Sequence, residues 1–241
     1  ECSVDLMFCD PPYFLSNGGT TVRGGERVAV DKGEWDESGG VAADHDFHVR
    51  WLAAARRVLK PSGTIWVSGT QHCIFSIGFA MQALGYHLLN TVTWFKPSAP
   101  PNLGCRQLTH STEFIIWAAP ALREPLPHVF HYDKLREEAG GVQMRDFWTI
   151  PTAPQAERAH GRHSTQKPLQ LLDRIVACCT NPGDFVVDPF CGSGTTAVAA
   201  TALRRRFLGI DLEQNYIDLA ARRLGHPSAP PRPDLDPQDP D

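Results

Sequence analysis

The pattern of hydrophobic and polar positions changes its period several times along the chain, which predicts alternating strands and helices. An apolar run over 3–9 ends at two prolines and predicts a buried strand. Phe47, Trp51 and Ala55 recur at helical spacing and predict a helix over 43–59. The predicted strands are 3–9, 64–68, 87–95, 113–118, 186–187 and 207–210, and the predicted helices are 43–59, 71–84, 168–179, 195–203 and 213–224.

This alternation predicts an α/β fold with a mostly parallel, doubly wound sheet that is covered by helices on both faces. The adjacent strands 87–95 and 113–118 are expected to form an antiparallel hairpin at the edge of the sheet. Two stretches lack periodicity: a glycine-rich polar segment over 15–36 and a segment over 120–162, which we interpret as a function-specific insertion. The proline-rich residues 226–241 have too few apolar side chains to fold and are expected to be a disordered tail.

The composition fits one large domain, because 42% of the 241 residues are hydrophobic. The net charge of −4 argues mildly against nucleic-acid binding, but the tail carries Asp234, Asp236, Asp239 and Asp241 against Arg232, so the body is close to neutral. No apolar run is long enough for a membrane span and no leader peptide is visible, which predicts a cytoplasmic protein. Seven cysteines without a C-x-x-C pair are expected to be reduced, buried thiols, and no metal site is predicted.

A glycine-containing loop follows the strand 186–187 and leads into a helix. Its sequence, Asp188-Pro189-Phe190-Cys191-Gly192-Ser193-Gly194-Thr195, allows a ligand to approach the backbone at the end of a parallel strand. The spacing of the glycines also suits a nicotinamide dinucleotide. However, Asp188 would repel a pyrophosphate and attract the ammonium group of S-adenosylmethionine, so we favour the methyl donor. Asp211 is expected to bind ribose hydroxyls, and Glu213 either does so or stabilises a helix N-terminus.

A second loop, Asp10-Pro11-Pro12-Tyr13, follows the first strand. Prolines cannot donate hydrogen bonds, so the Asp10 carboxylate and the Pro11 carbonyl present acceptors only. Two acceptors can hold both hydrogens of an exocyclic amino group and direct its lone pair towards an electrophile. Tyr13 offers an aromatic face for stacking a base. By itself the motif could also be a strand that ends at two prolines beside a core tyrosine.

Together the two loops resemble the signature pair of the amino-group DNA methyltransferases, in the order of the circularly permuted beta group. Further segments resemble motifs of this family at the family's spacing: 14–17, Lys32-Gly33-x-Trp35-Asp36, Trp94-x-Lys96-x-x-x-Pro100-x-Asn102 and His163-x-Thr165-Gln166-Lys167-Pro168. The resemblance implies a Rossmann-like fold and methyl transfer from S-adenosylmethionine to DNA. It implies adenine N6 as the target atom, since a tetrapeptide that begins with Asp is usual for adenine and one that begins with Ser for cytosine N4.

The resemblance also divides the chain. It implies a catalytic half over 1–119, a target-recognition segment over 120–162, and a cofactor-binding half over 163–225. It implies double-stranded DNA as substrate, a homodimer, and a restriction endonuclease as a possible partner of the methyltransferase. Related chains have a strand and an acidic turn before the catalytic strand, so we expect a leading segment to be missing before Glu1, and the contacts to the cofactor's adenine ring are only partly assigned.

The predicted site has three groups of residues. The catalytic residues are Asp10, Pro11, Pro12 and Tyr13. The cofactor-binding residues are Asp10, Thr165, Lys167, Asp188, Pro189, Phe190, Gly192, Ser193, Gly194, Thr195, Asp211 and Glu213. The DNA-binding residues are Arg23, Arg27, Lys32, Lys96, Arg145, Arg158 and Arg162, with His160 nearby, although each of these side chains could equally be a solvated surface residue.

The predicted reaction is a direct in-line displacement on a flipped-out adenine, with no covalent enzyme intermediate and no catalytic cysteine. Three alternatives stay open at this point. The same fold could methylate cytosine N4 or an RNA adenine, the chain could be a DNA-binding module without activity, or it could be a nicotinamide dehydrogenase. Analysis of methylated nucleosides, and binding of S-adenosylmethionine against the dinucleotide, would separate them.

Overall fold

The computed structural model describes residues 2–16, 20–23, 26–29, 33–102, 104–122, 127–161 and 163–225. The strands are β1 (Val4–Cys9), β2 (Thr20–Arg23), β3 (Glu26–Ala29), β4 (Leu59–Gly69), β5 (His87–Phe95), β6 (Thr112–Ala119), β7 (Phe147–Thr149), β8 (Phe185–Asp188) and β9 (Arg206–Gly209). The helices are α1 (Val41–Val58), α2 (Ile74–Ala83), α3 (Tyr132–Glu138), α4 (Leu169–Cys179), α5 (Thr195–Ala202) and α6 (Gln214–Arg223), with short 3-10 turns at Glu34–Asp36 and Gln155–Arg158.

Seven strands form one sheet in the order β7-β5-β6-β4-β1-β8-β9, and β2 pairs with β3 as a separate antiparallel ribbon. Within the sheet, β6 runs antiparallel to both β4 and β5, and every other neighbouring pair is parallel. The predicted α/β class with a mostly parallel sheet and one hairpin is therefore confirmed. The hairpin lies one strand inside the edge, because β7 pairs with the outer side of β5.

Helices cover both faces of the sheet, and successive residues of β1 face opposite layers, as the two-residue period of a strand requires. Leu6 and Phe8 join the core layer beneath α4 and α5, whereas Met7 and Cys9 join the layer beneath α1 and α2. This arrangement is the doubly wound architecture, in which ligand sites form where strands end.

The segment 120–162 contributes more to the core than its weak periodicity predicts. It provides α3 and β7, and the side chains of Leu135, Trp148 and Ile150 are buried in the layer beneath α4 and α5. The indole nitrogen of Trp94 donates a 2.7 Å hydrogen bond to the carbonyl of Ile150. Part of this segment is therefore structural, whatever its other residues do.

The cysteines differ partly from expectation. All seven are free, and five are buried, but Cys2 and Cys105 are exposed because they lie in loops outside the packed layers. In the described part of the chain, no helix has the length and apolar composition that crossing a bilayer requires.

Candidate active site

Three loops meet at the carboxyl edge of the parallel strands and line a cavity of about 380 Å³. They follow β1, β8 and β9, which are neighbours in the sheet. The cavity collects ten of the predicted site residues: Asp10, Pro11, Pro12, Tyr13, Thr165, Pro189, Phe190, Gly192, Asp211 and Glu213. It also has a wall that the sequence did not predict, made by Trp35, Asp36, Phe47, Trp51, His163, Ile210, Leu212 and Tyr216.

A smaller recess of about 30 Å³ adjoins this cavity and shares Asp10 and Thr165 with it. Four more of the predicted site residues line this recess: Lys167, Asp188, Ser193 and Thr195. Gly194 lies in neither cavity. Its φ is +72°, and a Cβ atom at this position would lie 2.5 Å from the Ala220 Cβ, so glycine is required here for α5 to pack against α6.

The Asp10 carboxylate is held by three side chains. Its Oδ1 atom accepts hydrogen bonds from the Ser68 hydroxyl at 2.5 Å and the Tyr13 hydroxyl at 2.7 Å. Its Oδ2 atom accepts one from the Lys167 ammonium at 2.5 Å. Because an ionised carboxylate offers about four acceptor positions, one position on Oδ2 remains for a ligand.

Glu113, at the start of β6, connects two lysines to this carboxylate. Its Oε2 atom lies 3.5 Å from the Lys167 nitrogen and 3.1 Å from the Tyr13 hydroxyl, whose single hydrogen is shared between Glu113 and Asp10. Its Oε1 atom accepts a 3.0 Å hydrogen bond from Lys96. Burial alone would raise the pKa of Glu113, but the two lysines lower it to about 2. Burial opposes the charge of Lys167 as well, yet Asp10 and Glu113 raise its pKa, so both ions stay charged.

Asp36 fixes the backbone directly after the catalytic tetrapeptide. The fully buried carboxylate accepts hydrogen bonds from the backbone nitrogens of Tyr13, Phe14 and Leu15 and from the Ser16 hydroxyl, at 2.9 to 3.1 Å. Phe14 adopts a φ of +57°, which L residues rarely occupy. The cluster of hydrogen bonds therefore holds a strained turn in place beside Tyr13.

Asp188 is buried at the end of β8 without a cationic partner among the described residues. Thr196 donates a 2.5 Å hydrogen bond to one of its oxygens, and the Phe190 backbone nitrogen donates a 3.1 Å bond to the other. Burial raises the pKa of Asp188 to about 7, although both hydrogen bonds act in the opposite direction. A positively charged ligand group in the recess would stabilise the ionised form.

Asp211 orders the other end of the cavity. One oxygen accepts a 2.8 Å hydrogen bond from the Gly192 backbone nitrogen and the other a 3.0 Å bond from that of Glu213, and each oxygen keeps an acceptor position for a ligand. Ser193 and Thr195 have protein partners instead: Arg223 donates to both hydroxyls, and Thr195 donates to the Lys167 carbonyl.

The structure describes only some of the predicted DNA-binding side chains. Arg145 and His160 are exposed, and Arg158 is half-buried. Lys96 is only 18% exposed, and its ammonium is bound to Glu113. Arg23 and Arg27 lie on β2 and β3, but their side chains are outside the described part of the structure. Lys32 and Arg162 are outside it altogether.

The two loops, their shared cavity and the acceptor surface at Asp10 are arranged as a methyltransferase requires. Residues 4–222 match the family model described as DNA methylase. The chain belongs to the DNA methylases. The predicted enzyme class, a DNA methyltransferase, is thereby confirmed.

The relatives of this DNA methylase are also methyltransferases. The type II methyltransferase M2.DpnII of Streptococcus pneumoniae is 47% identical over 222 residues, which cover 92% of this chain and 82% of the relative. M2.MboI of Moraxella bovis is 44% identical over 221 residues, which cover 92% and 80%. The crystal structure of the M1.HpyAVI-SAM complex matches with a TM-score of 0.67 at 26% identity, over 92% of this chain and 89% of that one. The cytosine-N4-specific PvuII DNA methyltransferase has a TM-score of 0.72, covering 99% of this chain and 82% of that one, but at 18% identity it shows the fold alone.

The sequence missed four residues that organise the site of this DNA methylase: Ser68, Glu113, Gln166 and Asp36. Ser68 and Glu113 lie in strands whose pattern predicts core, where a polar residue at a strand end is the available signal. Gln166 and Asp36 belong to segments that carry the family resemblance, but the sequence assigns them no role. Ser68, Glu113 and Asp36 each make hydrogen bonds that span 20 or more positions, which a local pattern does not encode.

Proposed function

We propose that this DNA methyltransferase transfers a methyl group from S-adenosylmethionine to N6 of an adenine in DNA. The observation that carries the proposal is the acceptor surface at Asp10. Asp10, whose Oδ2 atom keeps one acceptor position, and Pro11, whose backbone can only accept, line the same cavity as Tyr13. An exocyclic amino group has two hydrogens to donate, and this surface offers two acceptors.

S-adenosylmethionine is the donor, and the residues present fit it. Asp211 offers acceptors for ribose hydroxyls at the end of β9. At the recess, neither Asp188 has a cationic partner nor the buried Gln166 Oε1 atom a hydrogen-bond partner among the described residues, so both suit the ammonium of the methionine end. Leu212, which is 93% exposed, and Tyr216 line the part of the cavity beside Asp211 and suit the adenine ring. The M1.HpyAVI structure, which contains this cofactor, supports the assignment.

The chain's own residues orient the target base. S-adenosylmethionine, when bound, supplies an electrophilic methyl group next to the amino nitrogen. Asp10 and Pro11 hold the two N–H groups and keep the nitrogen lone pair directed into the cavity, while Tyr13 provides a stacking surface. Because N6 of a paired adenine lies inside the duplex, the base is flipped out, at a cost of a few kcal/mol.

Adenine, rather than cytosine, rests on the resemblance, in which a tetrapeptide that begins with Asp is usual for adenine. A cytosine amino group would find the same two acceptors, so the product is the deciding measurement. After incubation with unmethylated duplex DNA, digestion to nucleosides and mass analysis should give N6-methyladenine. N4-methylcytosine would replace the proposed target while leaving the enzyme class intact.

We further propose that basic residues bind the phosphates of the duplex. We also propose that 120–162 reads the sequence, between a catalytic half over 1–119 and a cofactor half over 163–225. The proposed phosphate contacts are Arg23, Arg27, Lys32, Arg145, Arg158 and Arg162. Lys96, the remaining predicted contact, already donates one hydrogen bond to Glu113. A homodimer and a cognate restriction endonuclease are part of the same proposal, by resemblance to type II systems.

The test of the proposed function is Asp10→Ala, with Asp10→Asn as the isosteric variant. Both should bind S-adenosylmethionine within a few-fold of wild type although Asp10 is also a predicted cofactor-binding residue, because Asp211, Asp188 and Gln166 carry the proposed ribose and ammonium contacts. Both should lose at least about a hundredfold in methylation rate. Calorimetry measures the binding, and transfer of labelled methyl groups to DNA measures the rate. Asp46→Ala, on the exposed side of α1, is the matched control. Full activity of Asp10→Ala would refute the role of Asp10.

A further inference from the structure

Four charged side chains from separate segments converge beneath the catalytic loop: Asp10 after β1, Lys96 after β5, Glu113 at the start of β6, and Lys167 before α4. The antiparallel direction of β6 explains the meeting point. Gly69, the last residue of β4, pairs with Phe114, so β6 begins at the edge where β4 ends. Glu113 thus reaches the active site from a strand that otherwise fills the core.

The four groups form a chain of alternating charge. Lys167 lies 2.5 Å from Asp10 and 3.5 Å from Glu113, and Lys96 lies 3.0 Å from Glu113. Their side chains are between 6% and 18% exposed, so solvent screens them weakly. Two carboxylates and two ammonium groups give the cluster no net charge.

We infer that Glu113 is a positioning residue for methyl transfer. Glu113 and Asp10 both pair with the Lys167 ammonium, so Lys167 neutralises Asp10 only in part and Asp10 keeps negative charge towards the amino group. Without Glu113, Lys167 would pair with Asp10 alone and neutralise the acceptor. Glu113 also fixes the Tyr13 hydroxyl, which bridges the two carboxylates. The inference rests on the proposed role of Asp10 as the amino-group acceptor.

The charge balance matters because positive charge develops on the amino nitrogen as the methyl group is transferred. Fixed charges in a weakly solvated site act strongly on such a change, and a surplus ammonium nearby would oppose it. Removal of the Glu113 charge would leave the cluster with one surplus positive charge. Removal of the Lys96 charge as well would return it to neutrality, although both changes disturb the same contacts.

Charge compensation therefore provides the test. Glu113→Gln keeps the size of the side chain and a carbonyl oxygen for Tyr13, and we expect the single-turnover rate at saturating DNA and cofactor to fall about tenfold to a hundredfold. The double variant Glu113→Gln/Lys96→Met should recover about tenfold of this loss, as coupled charges do in a double-mutant cycle. Glu113→Asp, which keeps the charge, should be faster than Glu113→Gln.

Several outcomes would overturn the inference: a wild-type rate for Glu113→Gln, a double variant no faster than the single one, or Glu113→Asp slower than Glu113→Gln. A purely structural role of Glu113 predicts the second outcome. If Glu113→Gln does not fold, the double variant Glu113→Gln/Lys96→Met is assayed instead. A rate of the double variant below about a hundredth of the wild-type rate would then reject the role of charge balance. Asp10→Asn, assayed in parallel, separates the two proposals. Full activity of Asp10→Asn would refute the proposed function. Loss of activity in Asp10→Asn together with a wild-type rate of Glu113→Gln would refute only this inference.

Discussion

At the scale of single residues, the carboxylates of Asp10 and Asp188 have opposite electrostatic environments. Asp10 has a lysine at 2.5 Å and two hydroxyl donors, so its charge is compensated within the protein. Among the described residues, Asp188 receives two hydrogen bonds and no cation, and burial raises its pKa to about 7. This environment suits a cationic ligand, since a bound ammonium would supply the compensation that the described side chains do not.

The raised pKa of Asp188 predicts a pH-dependent affinity for S-adenosylmethionine. The ammonium binds the ionised carboxylate, so the dissociation constant should rise as the pH falls below about 7, by at most about tenfold per unit. Calorimetry from about pH 5.5 to about pH 8.5, a range that brackets the raised pKa, measures this dependence. Asp188→Asn should bind more weakly and lose the dependence, whereas Asp46→Asn should behave as wild type. A wild-type pH profile in Asp188→Asn would contradict the assignment.

The same pKa has a consequence for stability. The folded protein without cofactor holds the Asp188 proton more tightly than the unfolded chain, in which the pKa of Asp is about 3.9. This group therefore lowers the free energy of unfolding as the pH rises from about 4 to about 7. Asp188→Asn can keep both hydrogen bonds if the Thr196 hydroxyl turns to accept from the amide. This variant should therefore raise the free energy of unfolding of the cofactor-free protein at about pH 8, which denaturant unfolding measures.

At the scale of elements, the turn after β1 depends on a segment more than twenty positions away. Asp36, in the 3-10 turn Glu34–Asp36, accepts three backbone hydrogen bonds from residues 13–15 and holds the positive φ of Phe14. The catalytic loop is thus built from two pieces of chain, and its geometry is shared between the tetrapeptide and the Trp35-Asp36 pair.

We expect Asp36→Asn to impair catalysis by loosening this turn. The amide can accept only through its oxygen, so the Leu15 backbone N–H would face an NH2 group and lose its acceptor, at a cost of about 1–3 kcal/mol. The Ser16 hydroxyl can turn to accept from that NH2 group. The methylation rate should fall about tenfold while cofactor affinity changes less, as labelled-methyl transfer and calorimetry would measure. Glu37→Gln, at the exposed neighbouring position, is the control. Equal rates in the two variants would show that the turn does not need the carboxylate.

At the scale of the whole molecule, the sheet joins the parts that the sequence separates into halves and an insertion. β7 and α3 come from 120–162, yet they extend the sheet and fill its core. Trp148 shows this most clearly: it is 4% exposed, lies against Trp66 of β4, and carries the Arg174 guanidinium on its ring. The segment that we propose reads DNA is therefore continuous with the packing of the catalytic sheet.

Trp148→Ala should consequently destabilise the entire domain. The loss of a buried tryptophan costs about 3–5 kcal/mol in the free energy of unfolding. Denaturant unfolding should show one cooperative transition at lower denaturant concentration. Arg145→Ala, at an exposed position of the same segment, should change stability by at most about 0.5 kcal/mol. If Trp148→Ala unfolded only a local part, with the main transition unchanged, the segment would be an independent insertion.

The sequence by itself determined most of the elements of the main sheet and the chemistry carried by contiguous residues. Strand and helix periods follow from local patterns of burial, and Asp10 to Tyr13 and Asp188 to Thr195 carry their functional signal within a few positions. Their convergence also followed, because loops at the ends of parallel strands meet at one edge. The strands β2, β3 and β7 and the helix α3 were missed, because elements of three to seven residues within polar segments show too little periodicity.

Only the tertiary structure decided which distant side chains complete the site. Glu113 reaches Lys167 across a long stretch of sequence because β6 runs antiparallel to β4, and Ser68 reaches Asp10 because β4 lies beside β1. The structure also shows that Lys96, one of the predicted DNA contacts, forms a partly buried ion pair with Glu113. Such pairings depend on strand order and direction, which arise from the global packing of the layers and leave no trace in the local sequence pattern.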